Sequence, residues 1–244
     1  AEPVREARAY VEEQPVANAD ETSWWQANKK AWLWVLTTPL VTVFLIHLKR
    51  GRVAAKALLG KFQGVLCTDR WCAYAYWPLG LRQFCWAHLK RAFTAMAETR
   101  GKAREIGQAL LAEQNRLFVW WHRLREGTIT RSTFQRYVAP LRKRVEDLLA
   151  QGAATRHKKS AGLCAELLKA FDALWTFVDV EGVEPTNNAA ERALRYAVIW
   201  RKVSFGTNSE RGSRFVERIL TATTTLCQQG RDILAYLTDA CEAA

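Results

Sequence analysis

Two runs rich in aromatic and β-branched residues, Ala31–Thr37 and Val41–Leu48, are separated only by Thr38-Pro39-Leu40. Such residues suit a pleated, half-buried surface, and so short a gap leaves an antiparallel hairpin as the simplest connection. Val16–Thr22 reads as a strand ahead of them, with a turn over Trp24–Lys30, so an antiparallel meander is expected. A helix over Arg52–Leu59, closed by Gly60, then leads to a short apolar strand, Gly64–Asp69. Strand, helix and strand predict a crossover, which makes this last strand parallel to an earlier one. Arg82–Cys85 is a candidate fifth strand running into a helix from Trp86. The expected class is therefore α/β, with a mixed five-stranded sheet flanked by helices.

Between about 100 and 178 the apolar residues change period. Ile106, Leu110, Leu111, Leu117, Phe118 and Trp121 recur three and four residues apart, and Gly127 and Gly152 punctuate the stretch. This is helical spacing. The expected organisation is a first α/β segment over 1–99, a helical insertion over 100–180, and a C-terminal segment over 181–244. That last segment is read as a helix over Asn187–Tyr196, a strand-like or loop stretch over Val198–Phe205, and helices over Ser213–Gln228 and Asp232–Cys241. Residues 1–14 read as a charged helix ended at Gln14-Pro15.

The 244 residues are 49% hydrophobic, enough for a core, and carry a formal net charge of +12. Lysines and arginines in that excess suit a polyanion, because neutralising phosphates releases counterions. No apolar run reaches the length of a membrane span, and the polar N-terminus predicts no signal peptide. The six cysteines form no Cys-x-x-Cys pair, which argues against a zinc ribbon and for reduced thiols in a cytoplasmic protein.

Three acids stand out. Asp20 and Asp69 lie at or near the ends of apolar strand-like runs, and Glu191 lies in the first turns of a helix within Pro185-Thr186-Asn187-Asn188-Ala189-Ala190-Glu191-Arg192. Strand alternation allows only one of Asp20 and Glu21 to face a shared site, and Asp20 is chosen. Three convergent carboxylates would supply hard oxygen ligands for Mg2+, two ions of which can assist an in-line displacement at a phosphodiester. Each acid also has a plainer reading. Asn188-x-x-Glu191 matches a capping box, Asp69 a turn residue, and Asp20 an exposed strand end.

Cys85 and His88, in Cys85-Trp86-Ala87-His88, could orient acids or substrate, or could be a buried thiol and a helix-face imidazole. Of the eleven tryptophans, Trp32 and Trp34 share a strand face and read as core. Trp24, Trp25 and Trp71 lie near the acids and offer rings for an unpaired base, although core packing accounts for most of the set. Arg192, Arg195, Arg201, Lys202, Arg211, Arg214 and Arg218 follow the last acid and are candidate phosphate contacts. Ser204–Thr207 and Ser209–Gly212 read as loops whose backbone N–H groups could meet phosphates.

The stretches Glu184–Arg195, Ile199–Lys202 and Ser209–Phe215 closely resemble the transposase family of bacterial insertion sequence 66. So do Asp20-Glu21-Thr22, Thr68–Tyr74 and Cys85–Arg91, in order along nearly the whole chain. The resemblance implies a DDE transposase with an RNase H-like fold whose acidic triad falls on Asp20, Asp69 and Glu191. It implies two Mg2+ ions, with Mn2+ able to substitute, Asp20 bridging both and Asp69 and Glu191 each holding one. Cys85 and His88 match the Cys-x-x-His of such enzymes, and Asn188 would cap the helix that presents Glu191. The partners implied are transposon-end and target DNA, bound by a homo-oligomer in a bacterial cytoplasm at the nucleoid, with no membrane. Family members carry a Cys-rich DNA-recognising region ahead of this part, so the chain is expected to be a catalytic portion that does not itself choose transposon ends. Two alternatives are a catalytically inactive DNA-binding remnant and a structure-specific nuclease of the same fold.

Overall fold

The computed structural model describes residues 2–242. The chain begins with helix α1 (Glu2–Glu12) and then forms the expected meander: β1 (Val16–Gln26), β2 (Lys29–Thr37) and β3 (Thr42–His47), antiparallel throughout. Helix α2 (Arg52–Leu59) crosses over to β4 (Val65–Thr68), which pairs in parallel with β1. With β5 (Arg82–Phe84) the strands make one mixed sheet in the order β3-β2-β1-β4-β5. This is the expected α/β class, and the strand order is compatible with an RNase H-like sheet.

β1 outruns its sequence reading by four residues. The chain turns only at Ala27-Asn28, whose φ values of 48° and 60° are left-handed. Two left-handed residues give a hairpin turn whose twist matches that of its strands. Trp24 belongs to the strand because it is fully buried. At the start of β4, Gly64 is required by a close approach. A Cβ there would stand 2.4 Å from the Pro15 carbonyl oxygen.

The sheet separates two layers by side-chain alternation. Ala17, Ala19, Trp34, Leu36 and Val43 pack with Ala54, Ala55, Leu58 and Leu59 of α2 and with Ala7 and Val11 of α1. Trp24, Leu33, Val35, Phe44 and Ile46 face the opposite way.

The chain divides into two compact units. Residues 1–78 and 187–244 form one, and residues 79–186 the other. In the second, α3 (Trp86–Ala97), α4 (Lys102–Arg125), α5 (Arg131–Ala153), α6 (Lys158–Lys169) and α7 (Thr176–Asp179) follow β5. Trp121, Phe134 and Phe177 form an aromatic core, with Trp121 and Phe177 centroids 5.3 Å apart. Buried Glu113 ties α4 to α5 by accepting from Arg144 at 3.0 Å while also pairing with Arg116 at 2.5 Å.

The first unit is completed by α8 (Asn188–Ser204), α9 (Glu210–Gln228) and α10 (Ile233–Glu242). The expected strand-like or loop stretch over Val198–Phe205 is instead the last part of α8, with Phe205 as its left-handed C-cap. Ala190, Ala193, Leu194 and Ala197 repeat at helical spacing and pack on the sheet with Val216 and Leu220 of α9. That burial overrides the local β-propensity of the Val and Ile residues.

α9 also solves the problem of edge strand β3, whose outward N–H groups would otherwise be open to another chain. The Thr42 N–H donates to Thr225 Oγ1 (3.2 Å), that of Phe44 to Thr221 Oγ1 (3.1 Å), and that of Ile46 to Glu217 Oε1 (2.6 Å). Four helical residues rise about 6 Å and two strand residues about 6.6 Å, so the two periods stay in step over three contacts. We expect Glu217→Ala to destabilise the fold by about 2 kcal/mol, since it orphans a buried N–H and takes from Arg214 its closer partner, leaving only Glu210. Urea denaturation checks this; a midpoint equal to wild type would mean that water replaces the carboxylate.

Candidate active site

The acids are set by strand register. Asn18 of β1 pairs with Cys67 of β4, and Asp20 and Asp69 each lie two residues further on, at one level of adjacent parallel strands. Asp20 shares the face of Asn18 and Trp24, the face that α8 covers. Asp69 sits just past the end of β4, where its Oδ1 accepts the Trp71 N–H at 2.8 Å. That bond fixes the turn and leaves Oδ2 available for other contacts.

Glu191 arrives from α8, which is tied to β1 beside Asp20. Buried Asn187 donates from Nδ2 to the Ala19 carbonyl (2.8 Å), and its Oδ1 accepts from Asn18 Nδ2 (3.0 Å). The cap position of α8 therefore belongs to Asn187, and Asn188 is the first helical residue. This corrects the expectation that Asn188 caps the helix. Glu191 falls at the fourth helical position, so the capping-box reading also lapses. The sequence motif contained Asn187, but nothing local showed that its amide would be spent on β1.

Glu21 explains why Asp20 is the acid that faces α8. The Glu21 side chain is 2% exposed and points to the other layer. There it accepts from Arg50 Nε at 3.0 Å and from the Tyr74 hydroxyl at 3.3 Å. The Arg50 guanidinium is held over the rings of Trp32 and Trp71, 4.5 and 4.2 Å from their centroids. Cation–π contacts of this kind fix the charge in place. Sequence reading missed Arg50, which lies 29 residues from its partner and carries no motif.

The electrostatics show that these carboxylates feel one another. Burial above all pushes the Asp20 carboxyl up to about 7, against one backbone hydrogen bond from Glu21, and the charges of Glu21, Asp69 and Glu191 push it further. Glu21 is raised by burial and by Asp69, with Arg50 and Tyr74 opposing. The Tyr74 phenol is raised by burial and by the charges of Glu21, Asp20 and Asp69. Crowded, partly desolvated carboxylates in an all-oxygen set fit a hard divalent cation, which would relieve this repulsion. Among the described residues, however, no three His, Cys, Asp or Glu side chains already stand as a metal-holding group.

Cys85 is buried at the N-cap of α3, and His88 lies in the first turn with Nε2 3.1 Å from Arg91 Nη2; both belong to the helical unit. Two of the proposed phosphate contacts are engaged within the fold. Arg201 donates to Thr22 Oγ1 at 3.0 Å and to the Ser23 hydroxyl and carbonyl, clamping α8 along β1. Arg214 pairs with Glu217 (3.0 Å) and Glu210 (3.5 Å). Arg192, Arg195, Lys202, Arg211 and Arg218 are exposed. Of the tryptophans, Trp24 is core, Trp71 holds Arg50, and Trp25 is 46% exposed. No helix among the described residues is long and apolar enough to cross a membrane.

Comparison with known proteins gives a family match over residues 2–215, to the model described as Transposase IS66 family. The uncharacterized protein y4qI of Sinorhizobium fredii is 26% identical over 237 residues, covering 85% of this chain. The chain spans 42% of the length of that curated relative. No solved structure matches.

Proposed function

We propose that this chain, which belongs to the Transposase IS66 family, is a catalytic portion that cuts DNA strands at a transposon end and joins them to target DNA. The observation that carries the reading is the register that puts Asp20 and Asp69 each two residues beyond the paired Asn18 and Cys67, with Glu191 on the helix that Asn187 ties to β1. In this reading water attacks a phosphodiester and leaves a 3′-OH, which then attacks the target strand.

Asp20, Asp69 and Glu191 would hold Mg2+ or Mn2+, two ions in all. Such ions, when bound, activate the attacking oxygen and stabilise the leaving one. The chain's own residues prepare the site around them. Asn187 anchors the first turn of α8 and with it Glu191. The Trp71 N–H orients Asp69, and Arg50 pairs with Glu21 and partly offsets its charge beside Asp20. Arg195 lies one turn beyond Glu191 on the same side of α8 and would neutralise phosphates there. Recognition of transposon ends, assembly of an oligomer on DNA and a nucleoid location belong to the same proposal.

A second reading is a DNA-binding remnant without turnover. The absence, among the described residues, of a ready-made metal-holding group favours it. The test is incubation of the purified chain with supercoiled and linear DNA in Mg2+ or Mn2+. Nicking followed by joined products supports the transposase; cutting without joining indicates a nuclease. Salt-sensitive binding with neither, in both metals, would leave the remnant standing.

A further inference from the structure

Two turns of the first unit meet beyond the acids. The Thr207 N–H donates to the Trp25 carbonyl at 2.9 Å, and the Ala27 N–H donates back to the Thr207 carbonyl at 2.8 Å. Gly206 lies so close that a Cβ there would stand 2.3 Å from the Trp25 carbonyl oxygen. The Thr207 hydroxyl shares a hydrogen bond with Ser213, which in turn donates to Gln26 at 2.6 Å. The β1–β2 turn and the α8–α9 turn are thus one fixed surface.

That surface presents rings to solvent where the fold has no use for them. Phe205 is 80% exposed and adopts φ 57°, a left-handed conformation at a helix end where glycine is the unstrained choice. A large apolar side chain that is both exposed and left-handed is locally unfavourable twice over, and such costs gather at functional positions. Trp25, on the strand segment bonded to this turn, is 46% exposed, whereas its neighbour Trp24 is core. Lys29, Lys202 and Arg211 are exposed on the same two turns and their flanks, as is Lys30, whose ammonium stands 5.2 Å from the centroid of the Trp32 ring. Glu210, which opens α9 just after this turn, is paired with Arg214.

We propose that Phe205 and Trp25 form a stacking platform for unpaired DNA bases, with Lys29, Lys30, Lys202 and Arg211 holding the strand's phosphates. The proposal rests on the transposase reading for its choice of nucleic acid, and on charge complementarity for its choice of occupant. Rings stack on any base, so the platform reads strandedness and not sequence. It stands apart from the chemistry. Trp25 lies five strand residues beyond Asp20, about 17 Å, and Phe205 lies fourteen helical residues beyond Glu191, about 21 Å. A strand cut at the acids would therefore reach the platform about five or six base pairs away. The surface suits DNA that has been opened beside the cleavage point.

The test uses the full chain in EDTA, with a single-stranded oligonucleotide carrying 2-aminopurine and the matching duplex. Phe205→Gly removes the ring and relieves the left-handed strain, so the fold is kept. It is expected to weaken single-strand binding about 5- to 100-fold, the range for one lost base–aromatic stack, and to reduce 2-aminopurine quenching. Duplex binding should change less than about twofold, and Phe205→Trp should restore quenching. Equal loss on both substrates, or none on either, overturns the platform. So does a change of sedimentation from dimer to monomer in Phe205→Gly, which would give the surface to a second copy. Binding in EDTA needs no turnover, so strand stacking by a chain that never cuts DNA keeps the platform and removes the transposase reading. Cutting that is indifferent to Phe205, together with unchanged single-strand binding, removes only the platform.

Discussion

Asp69→Asn is expected to lower metal-dependent strand cleavage by at least about 100-fold, the upper end of what losing even an outer partner of a metal ligand costs. The substitution isolates charge from structure. The bond that shapes the turn after β4 is made by Oδ1, which accepts the Trp71 N–H, and asparagine retains that acceptor. Trp71 should stay over Arg50, and the thermal midpoint should hold. What disappears is one of the negative charges that act on Asp20, Glu21 and Tyr74. DNA binding in EDTA should be unchanged or slightly tighter. Cleavage at the wild-type rate by a folded Asp69→Asn protein would take Asp69 out of the acid group and the proposed mechanism with it.

The second large effect concerns Asp20 and pH. Its carboxyl is raised from an ordinary 3.8 to about 7 in the folded chain. The folded state therefore holds this proton more tightly than the unfolded state does. The resulting stability is fully present below about pH 4 and is lost as pH rises through about 7, by at most about 4 kcal/mol. Urea midpoints measured in EDTA from pH 4 to 8 should fall for the wild type and fall less for Asp20→Asn, which should be the more stable protein at pH 8. Mg2+ added at pH 8 should recover part of the difference in the wild type alone. Parallel pH curves for the two proteins would show that Asp20 is not held in a desolvated, like-charged setting. A gain in stability on neutralising this acid is what a site selected for chemistry over stability would give.

Much of the sheet was legible because strand signals are local. The runs that became β2 and β3 carry their own alternation, and the crossover through α2 required β4 to be parallel. The misread places are those where packing decides. Val198–Phe205 has β-like composition, yet the helix continues because the turns before it are committed to the sheet through Ala190, Ala193, Leu194 and Ala197. Trp24 and Trp25 read as a turn, but one fills the core and the other carries the strand onward. At the site, the acids were nameable because carboxylates at strand ends and in a helix's first turns are visible as such. Their supports were not. Arg50, Asn187, Arg201 and Arg214 act on residues distant in sequence, and an arginine that clamps a strand looks the same in sequence as one that awaits a phosphate.

The sequence by itself determined the class of fold and the family resemblance, and it singled out the three acids that are proposed as a site, since residue type and period fix local conformation and which side chains can bind a hard cation. Only the tertiary structure decided that Asp20 and Asp69 share a level across β1 and β4. It also decided that Asp20 faces α8 while Glu21 turns away to Arg50, and that Asn187 and not Asn188 seats the helix of Glu191. Those outcomes depend on which strands pair and in what register. Such pairing is settled by the burial of whole faces and not by any one stretch of chain.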